Sequence, residues 1–96
     1  MILGELYTKK FFLTGEYDGE WVVLKRLTAA VVSIPNDDPD RSLKLALASI
    51  DSWSVVDKNS KMVPVTMNTL KQIEMPFFNE IVNLITEFQK APKEPS

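Results

Sequence analysis

The first third of the chain has the pattern of a β-hairpin. Two runs rich in aromatic and β-favouring residues, 6–14 and 21–24, flank an Asp-Gly step at 18–19. Such a step between two extended runs favours a two-residue hairpin turn. This turn predicts a register in which Phe12 pairs with Lys25.

Alternation along the predicted hairpin separates two faces. One face carries the residues expected in the core: Phe11, Leu13, Tyr17, Val22 and Leu24. The other face carries Phe12, Trp21 and Val23 among polar neighbours. A small core has few partners for a second apolar face, and exposed aromatic clusters mark protein interfaces. We therefore predict that Phe12, Trp21 and Val23 bind another protein; the alternative is that helices cover both faces of the hairpin.

The middle of the chain predicts two helices. Thr28 suits the N-cap of a short helix over 29–34. Asp38 suits the N-cap of a second helix, 39–50, in which Pro39 takes the first helical position. Spacings of three and four place a set of apolar residues on the core face of this second helix: Leu43, Ala46, Leu47 and Ile50.

The second half of the chain predicts a short extended pair and two more helices. The pair spans 52–65 with a polar tip at 57–60. Thr66 then caps a short helix over 67–73, and the final helix covers 76–89. The core stripe of this final helix is broad: Phe77, Ile81, Leu84, Ile85 and Phe88, widened by Phe78 and Val82.

These elements together predict the α+β class. The expected architecture is an N-terminal β-hairpin followed by a mainly helical single domain, with a short second extended pair. We expect this domain to span residues 1–90, since 96 residues suit a single core. Residues 91–96 contain two prolines and no apolar residue beyond alanine, which predicts a disordered C-terminal tail.

Composition narrows the function classes. The chain has no histidine and no cysteine, which excludes Ser-His and Cys-His catalysis as well as the usual zinc sites. We therefore expect no enzyme activity, no catalytic residues, no metal and no cofactor. The 11 basic and 13 acidic residues are spread evenly, so nucleic acid is not an expected partner. No run resembles a signal peptide or a membrane span, which favours the cytoplasm.

Clusters of charged residues have ordinary structural explanations. The acidic groups at 37–40 and 16–20 fall in predicted turns, where aspartate is common. This structural role is favoured over a pair of carboxylates for acid–base catalysis. The loop at 57–61 lacks the glycine and closing glutamate of a calcium loop. The basic pairs at 9–10 and 25–26 are typical of strand edges, where lysine blocks pairing with other chains. The alternative is a nucleic-acid surface, since these cations stand beside phenylalanine residues.

Three segments of the chain resemble the tail assembly chaperones of long-tailed bacteriophages and related prophages. The stretch 21–30, WVVLKRLTAA, is similar to the strand and Leu-Thr-Ala-Ala that open the helical part of those proteins. Residues 47–57 with 62–66 resemble a segment of those proteins in which a tryptophan, apolar residues and an aspartate are followed by Val-Pro-Val-Thr. The stretch 68–70, followed by Met-Pro at 75–76 and an amphipathic helix, matches their ending.

The resemblance implies a protein that acts in the cytoplasm of a bacterial host during virion assembly. Its expected partners are the tape measure protein, whose apolar helices it keeps soluble, and the tail tube protein. In many such phages a ribosomal frameshift appends a second domain to a longer form. Self-association as a homo-oligomer is compatible with an exposed second face of the hairpin. The alternative is a structural virion component, such as a tail completion or connector subunit.

Overall fold

The computed structural model describes residues 3–32 and 34–91 and has an α+β fold, as predicted. A three-stranded antiparallel sheet of order β1-β2-β3 is combined with four helices among the described residues. In chain order the elements are β1 (Thr8–Phe12), β2 (Trp21–Lys25), α1 (Ala29–Val32), α2 (Arg41–Ser49), β3 (Ile50–Trp53), α3 (Met67–Leu70) and α4 (Met75–Lys90). Most of the predicted tail, 92–96, lies outside the described residues.

The hairpin forms, but its predicted register is wrong. Phe12 pairs with Trp21 instead of Lys25, a shift of four positions. The shift arises because residues 13–20 form a long connection with a 3₁₀ turn at Gly15–Tyr17 in place of a two-residue turn. Positive φ angles of 66° at Gly15 and 94° at Gly19 make this connection possible. Because the shift is even, each strand residue keeps its predicted face.

The first part of the predicted extended pair begins earlier than expected, at Ile50, and forms a third strand of the sheet, a pairing that the sequence pattern did not predict. β3 follows α2 directly and runs antiparallel to β2, with Trp53 opposite Val22. The predicted second extended pair is correspondingly short, and its isolated bridge joins Val56 to Met62. The indole Nε1 of Trp53 donates to the carbonyl oxygen of Val63 at 2.8 Å, so the second half of this pair is tied to the sheet.

Helix α4 is the main wall of the core, as its amphipathic pattern predicted. Five of its side chains are buried in the core cluster: Phe77, Phe78, Ile81, Ile85 and Phe88. Val22, Leu24 and Trp53 lie in the same cluster and are fully covered. One face of the sheet therefore lies on the side of α4.

The shorter helices depart from prediction in their bounds and at single residues. α2 begins at Arg41 instead of 39, and α3 ends at Leu70 instead of 73. In α2, Ala46 is buried as expected, but Leu47 is 37% exposed and not part of the core. Ser49 is buried in its place and donates to the carbonyl oxygen of Lys25. α3 begins after Thr66, whose side chain accepts from the third backbone N–H of the helix in a capping box. α1 ends at Val32, before the predicted 34, and Ser33 lies outside the described residues.

Candidate protein-binding surface

The three residues predicted to bind a partner lie together on the sheet. Phe12 and Trp21 are directly opposite each other in the β1–β2 pair, and Val23 is two residues further along β2, opposite Lys10. Phe12 is 61% exposed, whereas Trp21 and Val23 are half-buried. We call the surface made by Lys10, Phe12, Trp21 and Val23 the open face, because α4 packs on the other side. The prediction of these residues as a binding site stays a prediction.

Lys10 also belongs to the open face. The sequence pattern predicted a different role for it, in which lysine at a strand edge blocks pairing with other chains. Its Nζ lies 4.4 Å from the centre of the Trp21 ring and 5.4 Å from the centre of the Phe12 ring. Both distances are in the range of cation–π contacts. Lys10 therefore holds a positive charge over two aromatic rings, and the open face combines apolar area with a cation.

The backbone of Trp21 is held by neighbouring polar groups. Its N–H donates to Ser54 Oγ at 2.9 Å, and its carbonyl oxygen accepts from the N–H of Ser54 at 3.0 Å. The Ser54 hydroxyl in turn donates to a carboxylate oxygen of Glu20. These bonds continue the β2–β3 pairing beyond Trp53, so the position of Trp21 on the open face is set by both neighbouring strands.

The basic residues considered as a nucleic-acid surface do not share one face. Lys9 lies over the Phe11 ring, with its Nζ 5.4 Å from the ring centre. The Arg26 guanidinium lies 5.1 Å from the centre of the Phe88 ring, and its Nη2 donates to the carbonyl oxygen of Ala91. Arg26 thereby contacts the carbonyl end of α4, where a positive charge is favourable. Lys9 and Arg26 thus each make local contacts with aromatic rings of the domain.

A groove of about 400 Å³ lies beside the sheet, between the hairpin connection, residues 54–56 and the link from α3 to α4. Four carboxylates line it: Glu16, Asp18, Glu20 and Glu74. We call it the hairpin groove. The sequence pattern predicts a hairpin tip at 16–20 and does not indicate the groove. Glu74 is more than fifty positions away along the chain, so no local pattern indicates that the fold brings it to this tip.

Tyr17 joins the hairpin connection to the start of α4. Its hydroxyl donates to Glu74 Oε1 at 2.9 Å, and its ring meets the Phe77 ring edge-on with centroids 4.9 Å apart. Loss of contact with water, the hydrogen bond to Glu74 and the negative charge of Glu16 together raise the pKa of Tyr17 to about 12, and loss of water contact is the largest of these causes. One wall of the hairpin groove is thus fixed to the helix.

The remaining acidic turns are held by local hydrogen bonds, but the predicted helix cap is wrong: α2 begins at Arg41 with Asp40 in the N-cap position, so Asp38 lies two residues before the cap. Asp38 Oδ1 accepts from the N–H of Asp40, and its other oxygen pairs with Lys44. Asp57 accepts from the N–H groups of Asn59 and Lys61 at the predicted tip. Among residues 3–32 and 34–91, no group of three or more acidic side chains is placed to hold a metal ion.

None of the helices formed by the described residues is both long enough and apolar enough to cross a bilayer. Comparisons of the sequence with protein-family models and curated proteins, and of the fold with solved structures, found no match.

Proposed function

We propose that this protein is an assembly chaperone for phage tails, which binds the tape measure protein and recruits tail tube subunits in the cytoplasm of the bacterial host. The proposal combines the resemblance of residues 21–30, 47–57 and 62–76 to such chaperones with the surface found on the sheet. It treats the protein as a binding module without catalytic activity.

The observation that carries the proposal is the aromatic pair on the open face, in which Phe12 is exposed and Trp21 is half-buried. An exposed aromatic ring loses contact with water when a partner covers it, and aromatic residues dominate the energetics of protein interfaces. Phe12 and Trp21 stand side by side with Val23 adjacent, which forms an apolar strip suited to one face of an amphipathic helix. The tape measure protein is expected to present such helices.

The experiment is co-expression of this chain with the tape measure and tail tube proteins from the same genome, followed by size-exclusion chromatography. We expect the chain to co-elute with the tape measure protein and the Phe12→Asp variant to lose the complex. Met75→Asp is the matched control, since Met75 is 66% exposed, on α4 and away from the open face. Circular dichroism of both variants reports whether they fold.

The outcomes separate the proposal from its alternative. Loss of the complex in Phe12→Asp but not in Met75→Asp supports the chaperone and its open face. If the wild-type chain forms no complex with either protein and is present in purified virions, the chaperone proposal fails. The protein is then a structural component, such as a tail completion or connector subunit.

A further inference from the structure

The hairpin groove combines an apolar floor with an acidic rim. Val55, Val56, Ile73 and Phe77 supply its apolar lining. Val56 is half exposed and is bridged to Met62, which is also exposed, so the apolar surface continues past the edge of the groove. A volume of about 400 Å³ lies in the range of pockets that enclose small ligands or several side chains.

The rim of the groove has one sign of charge. Its carboxylates come from two parts of the fold, with Glu16, Asp18 and Glu20 on the hairpin connection and Glu74 before α4. None of the described residues that line the groove is a lysine or an arginine. Clefts lined by one sign of charge favour ligands of the opposite sign.

The groove is also held in shape before any ligand arrives. Thr14 donates its backbone N–H to Glu80 of α4 at 2.7 Å, and Tyr17 donates to Glu74. On the opposite wall, the carbonyl oxygen of Val55 accepts from the N–H of Val63 at 3.0 Å. Walls fixed in this way reduce the ordering that binding requires, which favours affinity.

We infer that the hairpin groove binds a segment of a partner protein in which arginine or lysine stands beside apolar side chains. The apolar neighbours contact Val56 and Ile73, and the cation lies among the carboxylates of the rim. Charge complementarity selects this occupant over an acidic or neutral segment. The inference does not rest on the proposed function, because the groove and the open face are separate sets of residues.

The test uses the full chain labelled with ¹⁵N and a probe peptide, acetyl-Leu-Arg-Leu-Arg-Leu-amide, titrated to about 1 mM, where weak binding is measurable by NMR. We expect the backbone amide signals of Val56, Gln72 and Ile73 to shift with a common dissociation constant. A peptide of the same length with citrulline in place of arginine keeps the shape but removes the charge, and it should shift them far less.

A double variant, Glu16→Gln with Asp18→Asn, tests the rim directly. We expect it to raise the dissociation constant of the arginine peptide about fivefold, as for the loss of two exposed ion pairs. The matched control is Asp51→Asn with Glu87→Gln, which removes the same two charges from exposed sites that do not line the groove.

Three results would overturn the inference. The first is the absence of any shift at the groove amides over the whole titration. The second is equal binding of the arginine and citrulline peptides. The third is equal weakening by the control variant, which would mean that overall charge and not the rim attracts the peptide. None of these results bears on binding of the tape measure protein to the open face.

Discussion

The two sides of the sheet predict very different losses of stability for the same substitution of phenylalanine by alanine. Phe88 on α4 is 3% exposed and its ring lies 5.4 Å from the centres of both the Tyr7 and Phe11 rings. Phe12, by contrast, is 61% exposed. Phe88→Ala therefore removes a core ring, and Phe12→Ala removes a ring that is largely in water.

The magnitude follows from buried area. A core phenylalanine buries roughly 200 Å², which at about 25 cal/mol per Å² corresponds to about 5 kcal/mol. Measured losses for Phe→Ala in cores are about 3–5 kcal/mol. We expect Phe88→Ala to lower the free energy of unfolding by this amount, a large part of the total of roughly 5–14 kcal/mol for a chain of this length. Phe12→Ala should lower the free energy of unfolding by about 1 kcal/mol or less, because it removes only a small buried area and a contact with Lys10.

Urea unfolding followed by tryptophan fluorescence measures both changes. The midpoint should fall strongly for Phe88→Ala and slightly for Phe12→Ala, with similar m values, since neither change alters the surface exposed on unfolding by much. The reasoning is refuted if the two substitutions cost the same, or if Phe12→Ala costs more than Phe88→Ala. Either result would mean that the open face is covered within the domain.

Further predictions concern pH and a helix cap. The pKa of Tyr17 is raised by burial and then by Glu74, so its stabilisation is complete below the unfolded pKa of about 10 and is lost as the pH rises towards 12. Tyr17→Phe should flatten the fall in stability between pH of about 10 and about 12; an unchanged slope contradicts this assignment. The bonds from Lys44 and from the N–H of Asp40 lower the pKa of Asp38, so its contribution is present above the unfolded pKa of 3.8 and is lost as the pH falls through its lower folded pKa. Asp38→Asn should reduce the acid sensitivity seen in urea unfolding at low pH, and equal acid sensitivity in both proteins argues against the Asp38 contribution. Thr66→Ala should lower stability by about 1 kcal/mol, because it removes the cap of α3; no change in the urea midpoint would show that the cap does not matter.

The sequence predicted best where the structure depends on local periodicity. The spacing of Phe77, Ile81, Ile85 and Phe88 specifies α4 and its buried side without any knowledge of the fold. The two faces of the hairpin were likewise predicted, since alternation assigns Phe11 inward and Phe12 outward in either register. These features need only the geometry of a single element.

Features that depend on contacts between distant residues were missed or misplaced. The two-residue turn that Asp18 and Gly19 favour on their own is replaced by the long connection over 13–20, in which Tyr17 packs against Phe77 of α4. β3 pairs with β2 through residues that are far apart in the sequence, and Ile50 at its start had been assigned to the preceding helix. The hairpin groove likewise requires the tertiary fold, which brings Glu74 to the hairpin connection.

The most direct test of the central claim is photo-crosslinking from the open face. A benzophenone amino acid is incorporated at position 12 or, as a control, at position 75, in cells that also express the tape measure protein. We predict a crosslinked product with the tape measure protein from position 12 and none from position 75. A product from position 75 alone, or from neither position while the two proteins co-elute, would contradict the assignment of the open face as the binding surface.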